Sequence, residues 1–93
     1  MGGPVGYKNL AASGAFVAAG PGLVYGATLT AGSDAATAIL YDNTAGSGTV
    51  ILKLGAATAG TTTSISIPNG IAFGVGCYVA LTGTAPSCSV FGG

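Results

Sequence analysis

The sequence predicts an all-β protein: a single small antiparallel β-sandwich or jelly roll of about seven or eight short strands, with an extended N-terminal arm. Apolar residues recur with the two-residue period of strands, turn signals fall at the intervals typical of all-β domains, and no helical stripe of comparable length competes. Because 93 residues suffice for one domain, we assign residues 1–13 to the arm and residues 14–93 to the sandwich.

Seven segments are predicted to be strands, namely residues 15–18, 23–30, 35–42, 49–54, 62–67, 76–82 and 87–92. The second, fourth and fifth of these alternate between apolar side chains and mainly hydroxyl-bearing ones, which is typical of a strand with one face in the core. Within the fourth, Val50, Leu52 and Leu54 are expected to lie on the same face.

Three other segments, which contain Tyr41, Tyr78 and Phe91, are apolar on both faces. Such a strand is either central in its sheet or has one face against another chain, and in so small a domain we favour the second explanation. We therefore take these three aromatic residues as candidate interface positions. Tyr7 and Leu10 join them, because an extended arm can add a strand to the sheet edge of a neighbour.

Turn signals rich in Gly, Pro, Asn and Asp separate the strands. Asn69-Gly70 is a strong short-range reversal signal, and it is predicted to link Ile67 to Ile71.

The four charged side chains are Lys8, Lys53, Asp34 and Asp42, and the chain has no His, Arg, Glu, Gln or Trp. There is consequently no histidine to act as a general base, no arginine to hold a phosphate and no basic patch for nucleic acid. We expect a protein that is not an enzyme, with no cofactor, no metal and no nucleic-acid partner.

The small number of charged side chains indicates that other protein covers part of the surface. A folded monomer of this mass should expose on the order of 4,700 Å², and four charges cannot hydrate it as on ordinary soluble proteins. We expect much of the surface to be covered by identical copies or by a larger partner. The alternative is a monomer kept in solution by its Thr and Ser hydroxyls.

No secretory signal or lipidation motif is expected at the N-terminus. The long uncharged stretches are interrupted by Pro, Gly and Thr, so no membrane association is expected either.

Two pairs of residues could carry chemistry. Cys77 and Cys88 are predicted to be buried free thiols, with an intrachain disulfide as the alternative. Asp34 and Asp42 lie at turn signals, where aspartate accepts hydrogen bonds from nearby backbone amides. We interpret both carboxylates as structural, although two carboxylates could also serve a glycosidase or bind calcium.

The chain resembles a group of small β-rich virion proteins of tailed bacteriophages, which include head decoration (cement) proteins and fibre-like surface modules. The segments that carry the resemblance are Tyr7-Lys8-Asn9-Leu10, Gly26-Ala27-Thr28-Leu29-Thr30, Ala38-Ile39-Leu40-Tyr41-Asp42-Asn43, Gly48-Thr49-Val50-Ile51-Leu52 and Gly76-Cys77-Tyr78-Val79-Ala80-Leu81-Thr82-Gly83-Thr84-Ala85. They are hydrophobic and turn patterns without a catalytic signature.

This resemblance implies a homo-oligomer, with a trimer as the candidate arrangement, assembled in the host cytoplasm and located on the capsid surface of the virion. Its partner would be the major capsid protein or another virion protein, and its function would be to reinforce the head. Two alternatives are a tail or fibre-associated module that binds a host-surface glycan or protein, and a self-assembling coat subunit.

Overall fold

The computed structural model describes residues 6–92, and no helix occurs among them. The strands are β1 (Gly6–Leu10), β2 (Gly14–Val17), β3 (Gly22–Thr30), β4 (Ala36–Asp42), β5 (Thr49–Ala56), β6 (Thr62–Phe73), β7 (Cys77–Thr82) and β8 (Ser87–Gly92).

The eight strands form two antiparallel sheets of four, in the orders β1-β8-β3-β6 and β2-β7-β4-β5. The chain pairs β4 with β5, β3 with β6, β2 with β7 and β1 with β8, like one long hairpin that has been wrapped into two layers. This is the arrangement of an eight-stranded jelly roll. The predicted fold class is confirmed.

The extended N-terminal arm expected for residues 1–13 is wrong for residues 6–10, which form a strand of the sandwich. Gly6–Leu10 is strand β1, an edge strand that pairs with β8, with Tyr7 opposite Phe91 and Leu10 opposite Cys88. Residues 1–5 of the predicted arm lie outside the described residues.

The sequence does not predict β1 as a strand because of Lys8. It occupies a register position on the inner side of the sheet, opposite the buried Val90, where its charge breaks the apolar alternation. Its Nζ donates a hydrogen bond of 2.9 Å to the carbonyl oxygen of Ala15 in β2, so the lysine connects the two sheets at the edge of the sandwich.

The strands that are apolar on both faces are all internal. β4, β7 and β8 each have a hydrogen-bonded neighbour on both sides. The central position is therefore confirmed, and the expected contact of an outer face with another chain stays a prediction.

Two bulges change the faces predicted from periodicity. The β4–β5 register shifts between Leu40 and Tyr41, so Val50 pairs with Tyr41 on the outer face while Leu52 pairs with the buried Leu40. Ile51, the extra residue, packs against the core. The prediction that Val50 shares a face with Leu52 is wrong because an inserted residue reverses the alternation.

The second bulge replaces the predicted reversal at Asn69-Gly70. Strand β6 continues through these residues to Phe73, and the register against β3 resumes at Val24 and Ile71 after an excursion of residues 67–70. Gly70 adopts a φ of 75°, which favours glycine, so the signal marks a local detour and not the end of a strand.

The core between the sheets is built from small side chains. Five of its fifteen buried apolar residues in the described chain are alanine, and Phe73 is its aromatic member. Cys77 and Cys88 are fully buried free thiols, as predicted. Burial raises the pKa of each thiol to about 11, with the negative charge of Asp42 adding to the effect at Cys77.

Candidate functional site

The accessible surface is 4658 Å², in agreement with the area expected from mass. Its charged side chains mostly hold the fold together. Besides the Lys8 bond between sheets, Asp34 accepts hydrogen bonds from the backbone N–H (2.7 Å) and the hydroxyl (3.0 Å) of Thr84. These bonds connect the β3–β4 and β7–β8 loops.

Asp42, the last residue of β4, connects that strand to the β6–β7 loop. Its Oδ1 accepts hydrogen bonds from the backbone N–H groups of Gly74 (3.1 Å) and Val75 (2.9 Å). Both aspartates bind backbone amides as predicted, but the amides come from distant loops and not from their own turns. The hydrogen bonds from Val75 and Gly74 hold the pKa of the Asp42 carboxyl below its usual value.

The lowered pKa of Asp42 predicts acid sensitivity. Because the unfolded state takes up the proton at higher pH, the stability that Asp42 contributes is present above about pH 4 and is lost as the pH falls further. We expect Asp42→Asn, which keeps an acceptor oxygen without the charge, to be less stable at neutral pH and to lose less stability on acidification. Thermal unfolding at pH 3 and pH 6 measures both effects.

The matched control is Asp34→Asn, which leaves the Asp42 bonds in place and should keep the steeper loss of stability in acid. If Asp42→Asn and the unmodified protein lose the same stability between pH 6 and pH 3, the Asp42 carboxylate does not hold the β6–β7 loop.

The five candidate interface residues do not form one surface. Tyr7 and Phe91 lie on the outer face of the first sheet, 73% and 38% exposed, with ring centroids 6.5 Å apart. Tyr41 and Tyr78 are half-buried on the outer face of the second sheet, where they pair across β4 and β7. Leu10 is a core residue, 8% exposed, so its expected place at an interface is corrected.

We call the outer face of the second sheet the apolar face. Its outward register positions hold Ala15, Ile39, Tyr41, Val50, Tyr78 and Ala80, together with Lys53 and Thr37. The β4–β5 loop covers part of it, since a Cβ on Gly46 would lie 3.2 Å from Cε1 of Tyr78. Val50 is 51% exposed and is the large apolar side chain most open to a partner on this face.

We call the outer face of the first sheet the hydroxyl face. Its outward register positions hold Asn9, Thr28, Thr30, Thr62, Ser64, Ser66, Ser87 and Ser89, with the aromatic rings of Tyr7, Tyr25 and Phe91 at one end. The predicted alternation of hydroxyl and apolar residues is confirmed for residues 27–30 of β3 and residues 62–66 of β6, whereas the bulge moves Tyr25 from its predicted face to the hydroxyl face.

A groove of about 490 Å³ crosses the hydroxyl face beside the aromatic rings. The residues that line it are Tyr25, Gly26, Thr28, Ser64, Ile65, Ser66 and Phe91.

Gly26 creates this groove. It stands in register between Phe91 and Ser66, so a row of outward side chains has a gap at this point. The strands are so close that a Cβ on Gly26 would lie 2.7 Å from the Ile65 carbonyl oxygen. The adjacent β-bulge adds Tyr25 to the same face.

The ring of Tyr25 packs against residues 67–70, the excursion in β6. A Cβ on Gly70 would lie 3.1 Å from Cε1 of Tyr25 and 3.5 Å from Cβ of Leu23. The ring therefore rests against the backbone of Gly70, and its free side borders the groove.

The hydroxyls in the groove differ from those around it. Outside the groove, Thr30 and Thr62 bond to each other at 3.0 Å, and Asn9 Nδ2 donates to the hydroxyls of Ser87 (3.0 Å) and Ser89 (2.8 Å). Within residues 6–92, the hydroxyls of the groove itself have no hydrogen-bond partner. They remain available to a ligand.

Apart from Phe91, none of the groove residues is predicted from the sequence as part of a site. The alternating Thr and Ser residues of β6 were visible, but Phe91 and Gly26 are brought together only by the pairing of β8 with β3. In the part of the chain with a described structure, no cluster of three metal-ligating side chains is present. No helix there has the length and hydropathy that crossing a bilayer requires.

Comparison with known proteins gives no match to a family model, a curated protein or a solved structure.

Proposed function

We propose that this chain is a non-enzymatic structural protein of a tailed-bacteriophage virion, which decorates the outside of the head and reinforces it. The scarcity of charge on its surface carries the proposal. Of its four charged side chains, Lys8, Asp34 and Asp42 are engaged in hydrogen bonds between sheets or loops. A surface with so few ions is typical of one that other protein covers.

The resemblance to phage virion proteins gives the proposal its location, and the fold supports it. Double-sheet jelly rolls are a building block of viral capsids. The partner would be the major capsid protein or another virion protein, contacted from the capsid exterior.

The apolar face is the proposed contact with the shell. It combines Tyr41, Tyr78, Ile39 and the exposed Val50 on one sheet, and apolar and aromatic residues are enriched in the centres of protein interfaces. Because Tyr7 and Phe91 lie on the opposite face, they are not part of this contact. Of the four aromatic candidate positions, Tyr41 and Tyr78 are thus the two that the proposed shell contact includes.

Reinforcement would follow from preferential binding. A protein that binds the assembled shell better than its dissociated subunits stabilises the shell by mass action, by about 2.7 kcal/mol per site when its concentration is a hundred times Kd. Many copies act together, so each can bind weakly. A homo-oligomer, with a trimer as the candidate, would further raise the effective affinity and would cover exposed sheet edges.

Phage particles stripped of this protein provide the test. We expect the purified protein to bind them saturably and to raise the temperature at which they release DNA back to that of intact particles. Stripped particles in buffer alone are the control. Saturating protein that leaves the release temperature unchanged would contradict reinforcement, and the absence of binding would contradict decoration as well.

A further inference from the structure

We propose that the groove on the hydroxyl face binds an uncharged saccharide. This inference does not depend on the proposed function, because the groove lies on the face of the sandwich opposite the proposed shell contact. It rests on three properties of the groove: its two aromatic borders, its unpaired hydroxyls and its lack of charge.

The aromatic borders provide flat apolar contact surfaces. Phe91 is exposed beside the groove, and the ring of Tyr25 lies against Gly70. Aromatic rings that flank a cleft can pack against the apolar C–H face of a sugar ring, as they pack against other flat groups. The volume of about 490 Å³ is within the range of small-molecule sites.

The hydroxyls provide the polar contacts that a sugar requires. Thr28 stands opposite Ser64 across the strands, and Ser66 follows two positions along β6. Side chains so placed are about 5 Å apart across the sheet and about 7 Å apart along it, a spacing comparable with the spread of hydroxyls on a sugar. Each hydroxyl can both donate and accept a hydrogen bond. A wholly apolar ligand would instead cover them without offering partners, which is costly.

The absence of charge selects a neutral ligand. None of the lining residues is Asp, Glu, Lys or Arg, and Lys53 lies at an outward position of the opposite sheet. A carboxylate, sulfate or phosphate on a ligand would lose water in the groove without gaining a cationic partner. Nucleotides and acidic glycans are therefore excluded in favour of neutral sugars.

The experiment uses the full chain and an array of neutral and acidic glycans. We expect binding to neutral glycans alone. The best neutral oligosaccharide from the array is then titrated into isotope-labelled protein, and its amide shift changes should centre on Thr28, Ser64, Ser66 and Phe91.

The central variant is Phe91→Ala, which removes one aromatic border. We expect it to weaken binding of that oligosaccharide by about tenfold or more, whereas Phe91→Tyr, which retains the ring, should bind nearly normally. Ser66→Ala tests a groove hydroxyl, with Ser87→Ala as its matched control outside the groove. Circular dichroism checks that each variant is folded.

Three results would overturn the proposal: no glycan bound at millimolar concentration, binding of acidic glycans alone, or a bound oligosaccharide whose affinity is the same in folded Phe91→Ala. None of these results bears on whether the protein binds phage particles, so the groove and the proposed function fail separately.

Discussion

Gly32→Ala is expected to destabilise the protein by about 3 kcal/mol, at the upper end of the cost of overpacking. A Cβ on Gly32 would collide with the carbonyl oxygens of both Thr84 and Ala85. These are backbone atoms, which cannot turn aside as a flexible side chain can. The added methyl group must therefore push the β7–β8 loop away.

The cost is high because three loops meet at Gly32. The Ser33 N–H donates to the Thr84 carbonyl oxygen at 3.1 Å, and the Gly60 N–H donates to the Gly32 carbonyl oxygen at 3.2 Å. Displacing the β7–β8 loop would also strain the bonds from Thr84 to Asp34. Urea unfolding followed by circular dichroism measures the loss.

Gly55→Ala is the matched control. A Cβ on Gly55 would meet no heavy atom within 4 Å, so we expect its stability to change by about 0.5 kcal/mol or less. Equal unfolding midpoints for Gly32→Ala and Gly55→Ala would show that the loops are not packed as described.

Val50→Asp is expected to weaken binding to stripped phage particles by about 100-fold or more. In the free protein this side chain is 51% exposed, so a carboxylate there stays hydrated and the fold should tolerate it. When the apolar face meets the shell, the new charge loses its water without a partner, which costs several kcal/mol. Cosedimentation with the particles measures the affinity.

Thr62→Asp makes a matched change of charge on the hydroxyl face, outside the groove. It should bind the particles as the unmodified protein does. If both variants lose affinity equally, general charge repulsion explains the loss. If Thr62→Asp alone loses it, the two faces have been assigned the wrong way round.

The fold was predictable because its main strands carry a local signal. The alternation of Thr63 and Ile65 with hydroxyl residues in β6, and the double apolar faces of β4 and β7, are properties of neighbouring residues. Strand β1 is not predicted from the sequence because Lys8, a charged residue, occupies a position on the inner side of the sheet. Its long side chain lets the ammonium group leave the core and bond to Ala15 at the edge of the sandwich. The predicted face of Val50 is wrong because the bulge in β5 arises from the pairing of this strand with β4, which the local sequence does not reveal.

The groove could not be predicted in the same way. Gly26, Ser66 and Phe91 become neighbours only when β3 lies between β8 and β6, and no local pattern specifies that order. For the same reason the sequence does not reveal that the candidate interface positions Tyr7 and Tyr41 belong to opposite sheets.

Electron microscopy of phage particles that carry this protein tests its placement most directly. We predict density for the jelly roll on the outside of the head, with Tyr41 and Val50 toward the shell and the groove beside Phe91 open to solvent. Density at the tail or inside the shell, or a head-bound jelly roll whose hydroxyl face meets the capsid, would contradict this account.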